Sequence, residues 1–112
     1  MRPICYIVCA TLPGEDAARE YVEWLVNGHV QAVMAGGACE ARVVRLESET
    51  GTTRIESAYL FPDRASFETY LSDHAPELRA QGLARFGSTP GIAFERRVGT
   101  VLFPDDGSSP AP

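Results

Sequence analysis

The stretch PICYIVCAT, residues 3–11, is apolar whichever set of alternate residues is taken. In an extended chain, successive side chains point to opposite faces. Ile4, Tyr6 and Val8 then share one side, and Cys5, Ile7 and Cys9 the other. Such a run reads as a strand covered on both faces, so any fold for this chain must place something against each side of its sheet. The 112 residues suffice for one domain. With 45% hydrophobic residues the chain can bury a core, yet a domain of this size leaves much apolar surface uncovered. Association between copies is expected on that ground.

Leu12-Pro13-Gly14 breaks the strand. Glu15 to Met34 then reads as a helix, with Glu15 and Asp16 in the first turn, where the helix dipole favours acids. At about 100° per residue, Ala18, Val22, Leu25, Val26, His29 and Val33 fall on one side. Trp24 points away from that arc, nearer Glu20, Asn27 and Gln31. Ala35-Gly36-Gly37 ends the helix. Residues 38–48 form a second strand, Glu49-Thr50-Gly51-Thr52 a turn, and residues 53–61 a third strand with Ile55, Ser57, Tyr59 and Phe61 on one face.

Pro62 closes that strand and Asp63 is placed to cap a helix carrying Phe67, Tyr70 and Leu71. Pro76 disfavours helical geometry at Ala75, so one helix stops near Asp73-His74 and another starts at Pro76. Leu78, Leu83 and Phe86 give the second its apolar side, and Gly87 a stop. Residues 91–102 make a last strand. One domain is expected over residues 1–102, followed by a disordered tail over 103–112 that contains PDDGSSPAP.

The order strand, helix, strand, strand, helical segment, strand is the split βαβ arrangement. The expected class is α+β: a ferredoxin-like βαββαβ sandwich, with a four-stranded antiparallel sheet and helices on one face. Right-handed crossovers put the first and third strands in the centre. The other sheet face would then leave a large apolar patch, the usual mark of an interface. A homodimer through this open face, on the dimeric α/β-barrel plan, follows as an expectation, with Arg42, Arg45, Arg96 and Glu95 at the barrel rim or paired inside it.

Two stretches, EYVEWLVNGHVQAVMAGGACEARVVRL and YLSDHAPELRAQGLARFG, resemble an uncharacterised bacterial family catalogued as domain of unknown function 4286. In the first helix the resemblance is carried by Trp24, His29, Val30, Val33 and Gly36. In the later segment it is carried by Tyr70, Leu71, His74, Ala75, Pro76, Leu78, Arg79 and Arg85-Phe86-Gly87. It covers roughly residues 3 to 100 and implies the ferredoxin-like fold; it brings no activity with it. The proline-rich end departs from the family pattern.

Charge excludes some functions. Ten basic residues against fifteen acidic ones give a net charge of −5 without a basic stripe, so neither nucleic acid nor an anionic membrane is an expected partner. No apolar run approaches the roughly 20 residues of a membrane span. The start, MRPICYIVCATLPGED, lacks a small-residue cleavage site and reads as strand rather than signal peptide. Cys5, Cys9 and Cys39 form no C-x-x-C pair, which argues against a zinc site or a disulfide framework. Cys5 and Cys9, four apart on one strand face, lie roughly 13 Å from each other, too far to bond. A reducing cytoplasm fits these thiols, and no cofactor and no metal are expected.

His29 and His74 are the only histidines. Histidine titrates near neutral pH and suits proton transfer, so His29 is a catalytic candidate, as is Tyr59 through its hydroxyl; Tyr6 could serve in the same way. Trp24, His29, Arg42 and His74 are the candidate ligand-binding residues: a ring wall, two imidazoles, and a guanidinium able to hold an anion by paired bonds. Each has a structural alternative. His29 suits a core position satisfied by one hydrogen bond, His74 the break between two helices, Trp24 a packing contact and Arg42 a solvated strand charge. No phosphate loop, G-x-S-x-G elbow or H-E-x-x-H occurs. Two readings stand: a non-catalytic or small-ligand-binding homodimer, and a cofactor-free monooxygenase, isomerase or cyclase using His29. The second predicts that His29, Trp24 and Tyr59 line one concave pocket.

Overall fold

A computed structural model describes residues 2–47 and 51–104. The expected turn at Glu49–Thr52 falls partly outside these residues, as does the expected tail beyond residue 104. The elements run β1 (Ile4–Leu12), α1 (Glu15–Trp24), a π-helical turn (Leu25–His29), α2 (Val30–Ala35), β2 (Glu40–Leu46), β3 (Thr53–Phe61), α3 (Arg64–Asp73), α4 (Ala75–Phe86) and β4 (Ala93–Thr100). The strands form one sheet in the order β2-β3-β1-β4, and every neighbouring pair is antiparallel. This is the ferredoxin-like α+β fold, with β1 and β3 central.

Strand parity decides what is buried. Tyr6 pairs with Tyr59 and Val8 with Ser57 in the β1–β3 register, so the even residues of β1 share a face with the odd residues of β3. Ile4, Tyr6, Ala10 and Leu12 are buried there with Ile55, Ser57, Tyr59 and Phe61. The helices supply the opposing layer in two groups. Phe67, Tyr70, Ala75 and Leu78 pack near Ile4 and Phe61; Ala18, Tyr21, Leu25 and Phe86 pack near Leu12 and Ile55. Burying each of the larger side chains contributes about 2–3 kcal/mol. Asp63 caps α3: its Oδ1 accepts the Ser66 N–H at 2.7 Å. His74 sits at the break, and Pro76 lies in the first turn of α4, where its missing N–H costs no hydrogen bond.

The helix expected over Glu15–Met34 is not continuous. Its middle turn is wide: the Val30 N–H donates to the Leu25 carbonyl, five residues back, the spacing of a π turn. Asn27 (φ −105°, ψ 33°) and Gly28 (φ 149°) leave helical geometry. Positive φ is readily available only to glycine, so Gly28 permits the bulge. The extra residue resets the phase of the helix. Tyr21, one turn before the bulge on the side of Leu25, is buried although the straight-helix arc omits it, and Val26, inside the wide turn, is 43% exposed although that arc includes it. Leu25 and Val33, eight residues apart, both reach the core.

The other face of the sheet carries Cys5, Ile7, Ala58 and Leu60 at its centre, each half-buried. By register, Arg42, Glu56, Glu95 and Arg97 share it. Only Arg42 and Glu95 of the four expected rim residues therefore belong to this face. Arg45 lies on the helix-covered side, ion-paired with Glu15 of α1. Arg96 also lies on that side, opposite Val8. Among the described residues no helix is long and apolar enough to cross a membrane.

Candidate functional site

Between bulky Ile55 and Tyr59, β3 presents the small side chain of Ser57 to the helices. A small residue at that place leaves a gap that the layer above does not fill. The result is a cavity of about 170 Å³. Its floor is Tyr6 and Val8 of β1, Ser57 and Tyr59 of β3, and Phe94 and Arg96 of β4. Its roof is Tyr21, Trp24, Leu25, His29 and Val33, while α4 closes one side with Leu78, Arg79, Gly82, Leu83 and Phe86. A cavity of roughly 150 Å³ holds one benzene ring, so this one suits a ligand of about one ring.

The π turn builds the roof. Residues five apart lie one above the other in such a turn, whereas in an α-helix they diverge. Trp24 and His29 are five apart, and their rings stack with centroids 4.2 Å apart and planes 23° apart. The expectation that Trp24 faces away from His29 is thus corrected, because it assumed about 100° for every residue. Trp24 also packs on Tyr21 at 6.1 Å and edge-on to Phe86 at 5.4 Å. Gly82 lies against this indole, where an added Cβ would make an ordinary contact at 3.5 Å.

Three buried polar atoms near the cavity have no hydrogen-bond partner: His29 Nδ1, Ser57 Oγ and Tyr59 Oη. Buried polar groups are normally paired; Ser57 lies close enough to Tyr21 and Tyr59 to interact with both hydroxyls, which leaves His29 Nδ1 as the buried atom most open to a ligand. Burial first, and then the positive charge of Arg96, push the His29 pKa down to about 4; the imidazole is neutral at pH 7. Burial pushes the Tyr21 hydroxyl up to about 12, partly offset by nearby Ser57. It raises Tyr59 and Tyr70 further, so these hydroxyls stay protonated. At the edge of the cavity, Tyr6 Oη accepts a hydrogen bond from Arg96 Nε at 3.2 Å and another from Arg79 Nη2 at 3.3 Å.

Of the residues singled out in the sequence, Trp24, His29, Tyr59 and Tyr6 line this one cavity. Arg42 does not. It lies on the opposite sheet face, in a shallow groove with Cys5, Glu40, Ala58 and Leu60. His74 is also apart: it is exposed between α3 and α4, stacked on Tyr70 at 6.4 Å and packed against Gly36. Arg79, Tyr21, Phe86 and Phe94 also line the cavity, and no catalytic or binding motif in the sequence marks them. Arg79 had a signal in the APELR stretch, but only the fold brings it to Arg96.

The sequence profile of a family described as Domain of unknown function (DUF4286) matches residues 4–99. No curated protein matches the chain by sequence. Among solved structures the chain is similar to a dimeric ferredoxin-like protein from an uncultured marine organism (18% identity, 91% of this chain and 97% of that chain covered, TM-score 0.61). It is similar to a monooxygenase of Streptomyces coelicolor from the gene ActVA-Orf6, solved with nanaomycin D (13% identity, 98% and 94% covered, TM-score 0.65). It is also similar to SnoaB, a cofactor-independent oxygenase of Streptomyces nogalater (14% identity, 94% and 100% covered, TM-score 0.64). At these identities the likeness is one of fold.

Proposed function

This chain belongs to the family described as Domain of unknown function (DUF4286), and we propose that it binds a small planar molecule in the Trp24–His29 cavity. The observation that carries this reading is the unpaired, buried Nδ1 of His29 beside an apolar space of one-ring size. Small-molecule sites are mostly apolar hollows with a few fixed polar groups, and His29, Ser57 and Tyr59 supply those groups here. Neutral His29 accepts a hydrogen bond from the ligand, and the indole stacked on it holds the imidazole plane in place.

Binding is favoured over cofactor-free catalysis by the same histidine. A general base works best with a pKa near the working pH, and a pKa of about 4 makes His29 a weak base at pH 7. The catalytic reading keeps support from the neutral imidazole with its free nitrogen, and it requires a ligand that raises that pKa. Trp24 is the only tryptophan, so its indole N–H resonance reports on the cavity directly. Phenol, a one-ring hydrogen-bond donor, is expected to shift that resonance saturably. His29→Phe, which keeps a ring on Trp24 but removes the acceptor, is expected to weaken phenol about tenfold. A resonance indifferent to phenol, or an unchanged affinity in the variant, defeats the reading.

We also infer a homodimer through the open sheet face. Cys5, Ile7, Ala58 and Leu60 at its centre, with Arg42, Glu56, Glu95 and Arg97 around them, have the apolar middle and polar rim of an interface. Light scattering coupled to size exclusion is expected to give twice the 12.1 kDa chain mass at micromolar concentration. Ile7→Arg, placed at that centre, is expected to return it to a monomer. A wild-type monomer contradicts the inference.

A further inference from the structure

Two cations converge at the edge of the cavity on a single phenol oxygen. Arg79 reaches Tyr6 Oη from α4 and Arg96 reaches it from β4. A guanidinium carries five N–H donors in a fork that matches two anionic oxygens. One phenol oxygen leaves most of the two forks unmatched, and nothing in it offsets the repulsion between the two charges. Four other arginines, Arg19, Arg45, Arg85 and Arg97, each lie against a carboxylate. Among the described residues, neither Arg79 nor Arg96 does, nor do Arg2, Arg42, Arg54 and Arg64; what sets Arg79 and Arg96 apart is that they converge on one oxygen. Both side chains are exposed on one side yet line the cavity, which puts their free donors at its mouth. Their charge also reaches inward: Arg96 acts on His29, and both arginines on Tyr70.

We infer that the ligand is a small aromatic carboxylate, its carboxylate held at the mouth by Arg79 and Arg96 and its ring directed inward toward Trp24 and His29. This rests on the binding reading above and names the chemical class that the site takes. The two ends of such a ligand match the two ends of the cavity: an unpaired cation pair outside, and an apolar hollow with an unpaired acceptor inside. A ring hydroxyl or amine on the far side would meet His29 Nδ1.

Benzoate and benzamide, alike in shape and differing in charge, test the inference through the Trp24 indole resonance. Wild type is expected to bind benzoate about tenfold or more tightly than benzamide, as hydrogen bonds to charged groups allow. Arg79→Gln with Arg96→Gln changes only exposed side chains, and it is expected to abolish the preference while benzamide still binds. Equal affinities in wild type overturn the anion inference and leave the cavity as a binding site. A preference that survives in the double variant also overturns it, by moving the anion elsewhere. Failure of both probes to bind removes this inference together with the binding reading beneath it.

Discussion

Acidification from pH 7 to pH 4 is expected to cost the protein roughly 2–3 kcal/mol through His29 alone. The unfolded chain protonates this imidazole near its ordinary value of 6.5, and the folded chain only near 4. Between those values the unfolded state binds more protons, so falling pH favours unfolding. Above 6.5 both states hold the ring neutral and the effect vanishes; below 4 both are charged and the loss is complete. Burial is the main cause, since it penalises a charge inside the cavity, and the Arg96 charge adds to it. Carboxylates titrate in part of the same window, so the measurement is a comparison. Chemical denaturation of wild type and His29→Phe at several pH values isolates the histidine, and the variant is expected to show a shallower fall between pH 6.5 and pH 4. Parallel pH profiles would place His29 in water rather than in the core.

Gly28→Ala is expected to destabilise the fold by about 1–3 kcal/mol, the usual cost of holding a residue other than glycine in a sparsely populated backbone region. No atom lies within 4 Å of the Cβ that alanine would add, and φ is 149°. The loss is therefore conformational and not steric. The chain can escape the strain only by closing the wide turn toward an ordinary helix, and that rotates Trp24 off His29. Either route has a signature: a lower denaturation midpoint, or a changed Trp24 emission with weaker ligand binding. An alanine variant with unaltered stability, emission and affinity would show that the turn does not depend on glycine.

Much of the fold was legible from spacing and punctuation. The alternation in TRIESAYLF matches β3 over Thr53–Phe61, Asp63 caps α3, and Pro76 opens α4 after a break at His74. These signals are local, and nothing distant overrides them. The wide turn at Leu25–His29 was not anticipated, because the apolar pattern on both sides of it fits a straight helix. The available signal was Asn27-Gly28 in mid-helix, where glycine weakens helical geometry. A straight helix turns Trp24 away from the arc that holds His29, whereas the wide turn stacks the two rings. Arg79 and Arg96 were beyond sequence patterning for another reason. They stand on elements separated by a loop, and only the position of β4 beside β1 brings both to Tyr6.

Because the sheet is a single layer, β1 divides its labour by residue parity. Tyr6 and Val8 face the cavity, while Cys5 and Ile7 belong to the outer face. The ligand preference and the self-association proposed above would therefore drift independently through substitutions one position apart. An insertion or deletion within β1 would instead exchange the two surfaces along the rest of the strand, so this segment tolerates changes of residue far better than changes of length.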